Sequence, residues 1–325
     1  GVITGNMSER NSLSSYRFVA VMFAQFFVQV FMLGIIKSAG GGNKSIGIEK
    51  VMTVLAIAGT VMLLITFFTT KERVVPKPEQ KSSIKEDLND LVKNRPWLIM
   101  LSLTTLVFIT LAMKGGSYVY YFENYVDKEN LAIFIKPILD FLSTIGFNHF
   151  GGDAISAGFG LFNAGGIIFM IIGITFSKKL ADTYGKRNVF ALFLFISTLF
   201  ILAFYFFPPT AIMLIFGSQI FHGFFYGITI PILWAMIADV ADFSEWKNNR
   251  RATAIIFSAM MVGLKAGLSI GGALTSWFLG VFEYIPNSII QSDITISGIK
   301  LLVSIFPAIP FLIGAALLYF YEIDK

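Results

Sequence analysis

Lys265 is the residue whose position most needs a chemical reason. It stands inside a continuous apolar run, ATAIIFSAMMVGLKAGLSIGGALTSW, at residues 252–277. In a membrane-crossing helix starting near residue 253, Lys265 lies about 18 Å deep at the helical rise. That is near the bilayer midplane, where a charge is costly and must face protein or water and find a partner. Gly263, Gly267 and Gly271 recur every four residues and form a small-residue stripe suited to close helix packing. Lys265 stands about 200° away from that stripe, and its own face carries Ser258, Met261, Ser269 and Gly272. Two readings follow: a cation beside a bound solute or ion, or a structural lysine paired with a buried carboxylate.

A second group of charges lies at the ends of apolar runs. Asp239, Asp242, Glu245, Arg250 and Arg251 follow one run, in the segment ADVADFSEWKNNRR. Asp239 and Asp242 are three residues apart, hence on one face of a continuing helix. They are placed to pair with Arg17, Arg187 or Arg251 and close a gate, or else they form a solvated loop, where ion pairs are worth little. Asp182, Gly185, Lys186 and Arg187 form a compact charged turn between two other runs. There Asp182 either caps a helix N-terminus or pairs with the basic residues. Gln25 and Gln29 share a face and are suited to hydrogen bonding across helices or to a polar solute. Trp234 and Trp277 are suited to stacking on a sugar ring and equally to packing. Lys114 lies about 25 Å along its helix from Trp97, so snorkelling to the outer surface is its expected role, with an outer vestibule shared with Tyr118 and Tyr121 as the alternative. His222 is expected to be a buried histidine bonded to a backbone carbonyl rather than a proton relay.

The elements that position these residues are long apolar helices. Of the 325 residues, 55% are hydrophobic and only 14% charged, too few charges to clothe a water-facing surface. A crossing helix needs about 20 apolar residues. Eight runs qualify, near 17–37, 50–70, 97–125, 154–176, 189–207, 211–236, 253–281 and 298–321. They are longer and more continuous than barrel strands. Lys and Arg concentrate in segments 1–17, 71–96, 177–188, 237–252 and the tail, whereas the opposite side holds Lys37, Lys44, Lys50, Lys128, Lys136 and Lys300. This asymmetry predicts both ends of the chain in the cytoplasm. Segment 71–96 reads as a cytoplasmic linker, with a short amphipathic helix at 83–93. Segment 127–152 reads as an outside loop, whose apolar stretch Leu131–Ile145 forms an interfacial hairpin or a lid. The predicted division is 1–70 (two spans), 71–96 (linker) and 97–325 (six spans). Cysteine is absent and His numbers two, and no catalytic or nucleotide-binding motif is present, so no enzyme, cofactor or metal site is expected. Nor is a nucleic-acid partner, because the basic residues sit in loops between spans.

Three separated motifs carry a family resemblance. The turn at 182–187 resembles the D-x-x-G-[KR]-R loop signature of the major facilitator superfamily. Asp239, Asp242, Phe243, Glu245, Trp246, Lys247 and Arg251, followed by Lys265 and Gly267, resemble the glycoside–pentoside–hexuronide:cation symporter family. The segment SERNSLSSYRF, with Arg10 and Arg17, resembles that family's loop before its fifth span. The resemblance implies an all-α helical bundle of the major facilitator type, with about eight of an expected twelve transmembrane helices in this chain, which starts at Gly1 and reads as a fragment. It further implies symport of a sugar or glycoside coupled to Na+ or H+ by alternating access. Lys265, Arg17, Gln25, Gln29, Ser269 and Trp234 would then serve substrate or cation coupling. Asp239, Asp242, Glu245, Arg251, Asp182 and Arg187 would form the cytoplasmic gate. The expected setting is a monomer in the plasma or inner membrane. A lipid or lysolipid carrier of the same fold is the first rival, and a non-transporting scaffold or sensor the second. In this family the cation-binding carboxylates lie mainly in the first four spans, so the chain alone is expected not to transport.

Overall fold

The computed structural model describes residues 7–41, 43–70, 91–144, 153–248, 253–286, 288 and 290–323, with backbone alone for 7–19, 248, 253 and 254. Among these residues ten α-helices have both ends, 91–93 add a further helical stretch, and there is no strand. They are α1 Met7–Ala39, α2 Lys44–Thr69, α3 Arg95–Asn124, α4 Lys128–Thr144, α5 Ala154–Tyr184, α6 Lys186–Ala203, α7 Ile212–Asn248, α8 Thr253–Val281, α9 Asp293–Val303 and α10 Ile305–Leu317. Eight helical segments are long and apolar enough to cross a membrane, α9 and α10 counting together as one. They coincide with the eight runs read from the sequence. Residues 71–90 of the expected linker, and most of its expected helix at 83–93, lie outside the described residues.

Local chemistry sets the helix boundaries. Asn43 caps α2 by accepting the Ser45 and Ile46 amides. Asn94 accepts the Trp97 amide at 3.2 Å, and Pro96 sits in the first turn of α3, where its missing N–H costs nothing. Gly185 separates α5 from α6 with φ 83°, a left-handed value that other side chains resist. It leaves α6 without a side-chain cap. Asp182 therefore belongs to the last turn of α5 and caps nothing at the start of α6.

The chain divides into two compact units: Gly1–Ser82 with Ile135–Ala164, and Ser83–Phe134 with Gly165–Lys325. In the first, α1 and α2 form a hairpin through a tight turn at 40–43, where Gly41 has φ 55°. The Lys37 ammonium bonds Asp153 at 3.0 Å, and the Asn163 amide donates to the Gln29 carbonyl at 3.1 Å, tying the start of α5 to α1. The second unit is a bundle of α3, the latter part of α5, and α6 to α10. Its core includes Met100, Leu103, Met113, Phe190, Leu194, Phe204 and Phe311, all essentially fully buried.

Two features differ from expectation or were invisible in the sequence. The apolar stretch after residue 127 is one continuous helix, α4, rather than a hairpin. Its 17 residues bury Leu131 and Ile135, and the Phe134 ring packs 5.0 Å from Phe216. The last span is interrupted at Ser304 (φ −122°, ψ −82°), between α9 and α10. Pro307 and Pro310 follow the break, and the Thr110 hydroxyl of α3 donates to the Pro307 carbonyl at 2.7 Å.

Candidate functional site

The geometry around Lys265 follows from the glycine stripe. A methyl group placed on Gly267 would stand 2.5 Å from the Thr105 carbonyl oxygen and 2.9 Å from the Phe108 Cβ. On Gly271 it would stand 2.5 Å from the Ile109 carbonyl oxygen and 2.7 Å from the Ala112 Cβ. Gly263 faces the side chains of Leu101 and Thr105, with the Leu101 Cδ1 2.6 Å from such a methyl. Only the missing side chains let α8 lie backbone to backbone on α3. The opposite face of α8 is then forced away from α3. Ser258, Met261, Lys265, Ser269 and Gly272 are all exposed in this chain. Lys265 thus stands mid-helix on an open, partly polar face, a position that cannot be left against hydrocarbon and must be covered by water or by polar groups.

The remaining candidates are distributed. Trp234 is half-buried on α7 of the same unit, whereas Gln25 (half-buried) and Gln29 (exposed) belong to α1 of the first unit. The side chains of Arg17 and Arg251 lie outside the described residues. Trp277 is exposed at the far end of α8, its ring 5.1 Å from that of Phe278.

At the other end of the second unit the expected gate residues do converge. Asp182, Lys186, Arg187, Asp239, Asp242 and Trp246 line one cleft of about 590 Å³, built by the α5–α6 turn, the end of α7 and the tail after α10. Glu245, exposed on the next turn of α7, is not part of its lining. Asp239 is held by Lys186, with Nζ 2.7 Å from both carboxylate oxygens. Arg187, one of the three partners read from the sequence beside Arg17 and Arg251, instead donates to the Tyr321 carbonyl at 3.0 Å. Adjacent residues on a helix point about 100° apart, so only one of this basic pair can face α7. The Tyr321 hydroxyl donates to the Met236 carbonyl, and burial, followed by the nearby Asp239 charge, pushes its proton affinity up. The cleft therefore carries an ion pair at a partly exposed site, where a pair of this kind contributes about 1 kcal/mol or less.

Lys114 was misplaced by sequence reasoning. It does not snorkel: only 6% of it is exposed, and its ammonium lies 5.3 Å from the centre of the Tyr118 ring. Tyr118 and Tyr121 are core residues too, not the wall of a vestibule. His222 is as expected, buried with Nδ1 3.0 Å from the Ser197 carbonyl, so in its neutral form Nδ1 carries the proton. Its ring lies parallel to Tyr226 at 5.8 Å and near-parallel to Phe311 at 6.5 Å. The spacing shows which residues share a face with Lys114 but not that this face is buried. Thr110, Lys114, Tyr118 and Tyr121 fall at i, i+4, i+8 and i+11, one face of α3.

Comparison with known proteins decides the affiliation of this bundle. The family described as MFS/sugar transport protein matches residues 1–156 and 147–325, together the whole chain. The chain belongs to this family. The MFS/sugar transport chain is 32% identical over 319 residues to the inner membrane symporter YicJ of Escherichia coli strain K12, covering 97% of this chain and 62% of that protein. It is 28% identical over 309 residues to the putative glycoside/cation symporter YagG of the same organism, covering 95% and 61%. It is 26% identical over 331 residues to the isoprimeverose transporter of Lactiplantibacillus pentosus, covering 99% and 62%. It thus spans about three fifths of the length of these curated relatives. Family and fold agree: this MFS/sugar transport protein is an all-α, multi-pass membrane protein.

Proposed function

We propose that this chain is the larger part of a secondary transporter that moves a sugar or glycoside together with Na+ or H+ by alternating access. The observation that carries the reading is Lys265, held mid-helix on the open face of α8 because the glycine stripe on the other face is locked to α3. Ser269 lies one turn further on the same face and is suited to hydrogen bonding a sugar hydroxyl. The names of the relatives, glycoside/cation symporter and isoprimeverose transporter among them, support the substrate class. In this reading Trp234 of the same unit serves the solute with Lys265, and Arg17, Gln25 and Gln29 of α1 are assigned to substrate or cation coupling. The Lys186–Asp239 pair, Asp182, Asp242, Glu245, Arg187 and Arg251 work at the cytoplasmic mouth, and both ends of the chain face the cytoplasm. A pair worth about 1 kcal/mol biases an equilibrium between two states without locking it, as a gate that must open requires.

The test is uptake of a panel of labelled glycosides by the chain joined behind the part of YicJ that it does not cover. Uptake is measured under a sodium gradient and under a proton gradient. Gradient-dependent uptake that disappears in Lys265→Ala, with membrane insertion intact, is the expected result. Insertion without uptake of any glycoside under either gradient would refute the proposal.

A further inference from the structure

The first part of the last span, α9, meets the rest of the second unit through an ammonium set between two rings. Lys300 stands in the last turn of α9, where a cation also suits the helix dipole. Its Nζ lies 5.3 Å from the centre of the Tyr125 ring and 5.3 Å from the centre of the Tyr205 ring. At this range the negative face of each ring attracts the ammonium. The two rings come from different elements. Tyr125 follows the last residue of α3, and Tyr205 lies in the short 3-10 turn Phe204–Phe206 after α6. Those two ends are joined without α9. The Tyr125 hydroxyl donates to the Phe207 carbonyl at 2.7 Å, and the Asp127 amide donates to the Pro209 carbonyl at 3.1 Å. The fully buried Phe204 ring packs 5.5 Å from that of Tyr118 and 5.9 Å from that of Tyr121. The rings therefore form a fixed seat, and Lys300 is what α9 places in it.

The seat lies beside the break in the span. Lys300 is four residues before Ser304, whose hydroxyl donates to the Lys300 carbonyl at 2.5 Å. The two parts of an interrupted helix can tilt separately, and α10 is tied to α3 by the Thr110 bond to the Pro307 carbonyl. Ile299, Leu302 and Val303 of α9 are buried, but apolar burial is non-directional and does not by itself fix a position. The Thr295 hydroxyl donates to the Phe282 carbonyl at 2.8 Å, which fastens the start of α9 to the turn after α8 and not to α3 or α6. We propose that Lys300 is a latch: with its ammonium between Tyr125 and Tyr205, α9 is seated, and withdrawal of the ammonium releases α9 as a unit while α10 stays on α3. The contact suits that work. Tyr205 is exposed and Lys300 and Tyr125 are half-buried, so a long flexible side chain can carry the released ammonium back to water. The latch lies within the second unit and depends neither on Lys265 nor on the transport reading.

The chain contains no cysteine, so introduced cysteine pairs carry spin labels without background. The whole chain is placed in lipid nanodiscs and labelled at exposed positions, Ile294 of α9 with Leu98 of α3 in one protein and Ile313 of α10 with Met213 of α7 in another. Distances are read by double electron–electron resonance in the parent, in Lys300→Met, which removes the charge, in Lys300→Arg, which keeps it, and in Tyr205→Leu, which removes one ring. The parent and Lys300→Arg are expected to share one α9–α3 distance distribution. In Lys300→Met a second, released distance gains weight about 5- to 30-fold, and in Tyr205→Leu about 2- to 5-fold. The α10–α7 distance is the same in all four. An unchanged α9–α3 distribution in Lys300→Met overturns the proposal. So does a Lys300→Arg protein that matches Lys300→Met, because the charge would then not be what holds α9. A parallel change in the α10–α7 distance also overturns it, as a general loosening of the bundle. If Lys300→Met fails to insert, Tyr205→Leu decides: a parent-like α9–α3 distribution with one ring removed contradicts the latch directly.

Discussion

Replacing Gly267 by alanine tests the central packing claim, that α8 is oriented by its glycine stripe. The added methyl would lie 2.5 Å from the Thr105 carbonyl oxygen and 2.9 Å from the Phe108 Cβ. An ordinary carbon–oxygen contact is near 3.3 Å, so the helices must separate locally by about 0.8 Å or shear past each other. The nearest obstacle is backbone, which no rotamer change can move. Overpacking of this kind costs about 1–3 kcal/mol. Against it stands the better helix propensity of alanine, about 1 kcal/mol. The net expectation is a destabilisation of up to about 2 kcal/mol. Gly272 on the same helix supplies the control, because nothing lies within 4 Å of a methyl placed there. Gly272→Ala should be neutral or slightly stabilising by the same propensity argument. Both variants are purified in detergent, and unfolding is followed by circular dichroism against temperature and against denaturing detergent. A lower midpoint for Gly267→Ala, beside an unchanged or higher one for Gly272→Ala, is the expected pattern. Equal midpoints for the two would refute the reasoning, and with it the claim that the stripe fixes the direction in which Lys265 points.

Other predictions concern charge and the buried ring. A double-mutant cycle on Lys186 and Asp239, using Lys186→Met and Asp239→Asn, should give a coupling of about 1 kcal/mol or less in unfolding measurements, because both groups remain partly exposed. A coupling of several kcal/mol would contradict this. His222→Ala removes the bond to Ser197 and the contacts with Tyr226 and Phe311, and should lower stability by about 2–4 kcal/mol. A midpoint within error of the parent would show that the ring is not held as described. Asp153 yields a pH dependence. Burial pushes its proton affinity up, but hydrogen bonds from Ser156 and Lys37 outweigh this and hold the carboxyl below its ordinary value. Its contribution is therefore present above the unfolded carboxylate range, about pH 4, and fades as the pH falls through the lower folded value. Asp153→Asn should flatten that acid-side slope in a stability–pH series and leave the neutral region little changed. An unaltered slope would remove Asp153 from the account.

The helices were legible because crossing a bilayer demands length and continuous apolarity, both linear properties of a sequence. The glycine stripe and the orientation of Lys265 were legible for a related reason. Gly263, Gly267 and Gly271 lie on one helix, and helical periodicity fixes their angle to Lys265 without knowledge of any other element. Lys114 marks where this reasoning stops. Position along α3 gives a depth, but burial depends on the helices that pack on α3, such as α8, α9 and α10, which arrive from far along the chain. The pairing of Asp239 failed in the same way. Two adjacent basic residues were available 52 and 53 residues away, and only the packing of α6 on α7 decides that Lys186 and not Arg187 turns toward the carboxylate. The break at Ser304 was hidden because Pro307 and Pro310 are individually tolerated in membrane helices.

That break has a mechanical meaning. Pro307 and Pro310 have no N–H, so the carbonyls of Val303 and Phe306 have no helical donor to lose. A rod creases where its internal ties are already absent. The last span therefore has fewer backbone bonds to lose around Ser304, where the Ser304 amide still donates to the Leu301 carbonyl at 3.3 Å, while α10 is pinned to α3 through Thr110. Motion of α9 need not be transmitted to the cleft lined by Asp239 and Lys186, where the tail after α10 anchors Arg187. The span works as a decoupling joint, and each end of the bundle keeps its own freedom to move.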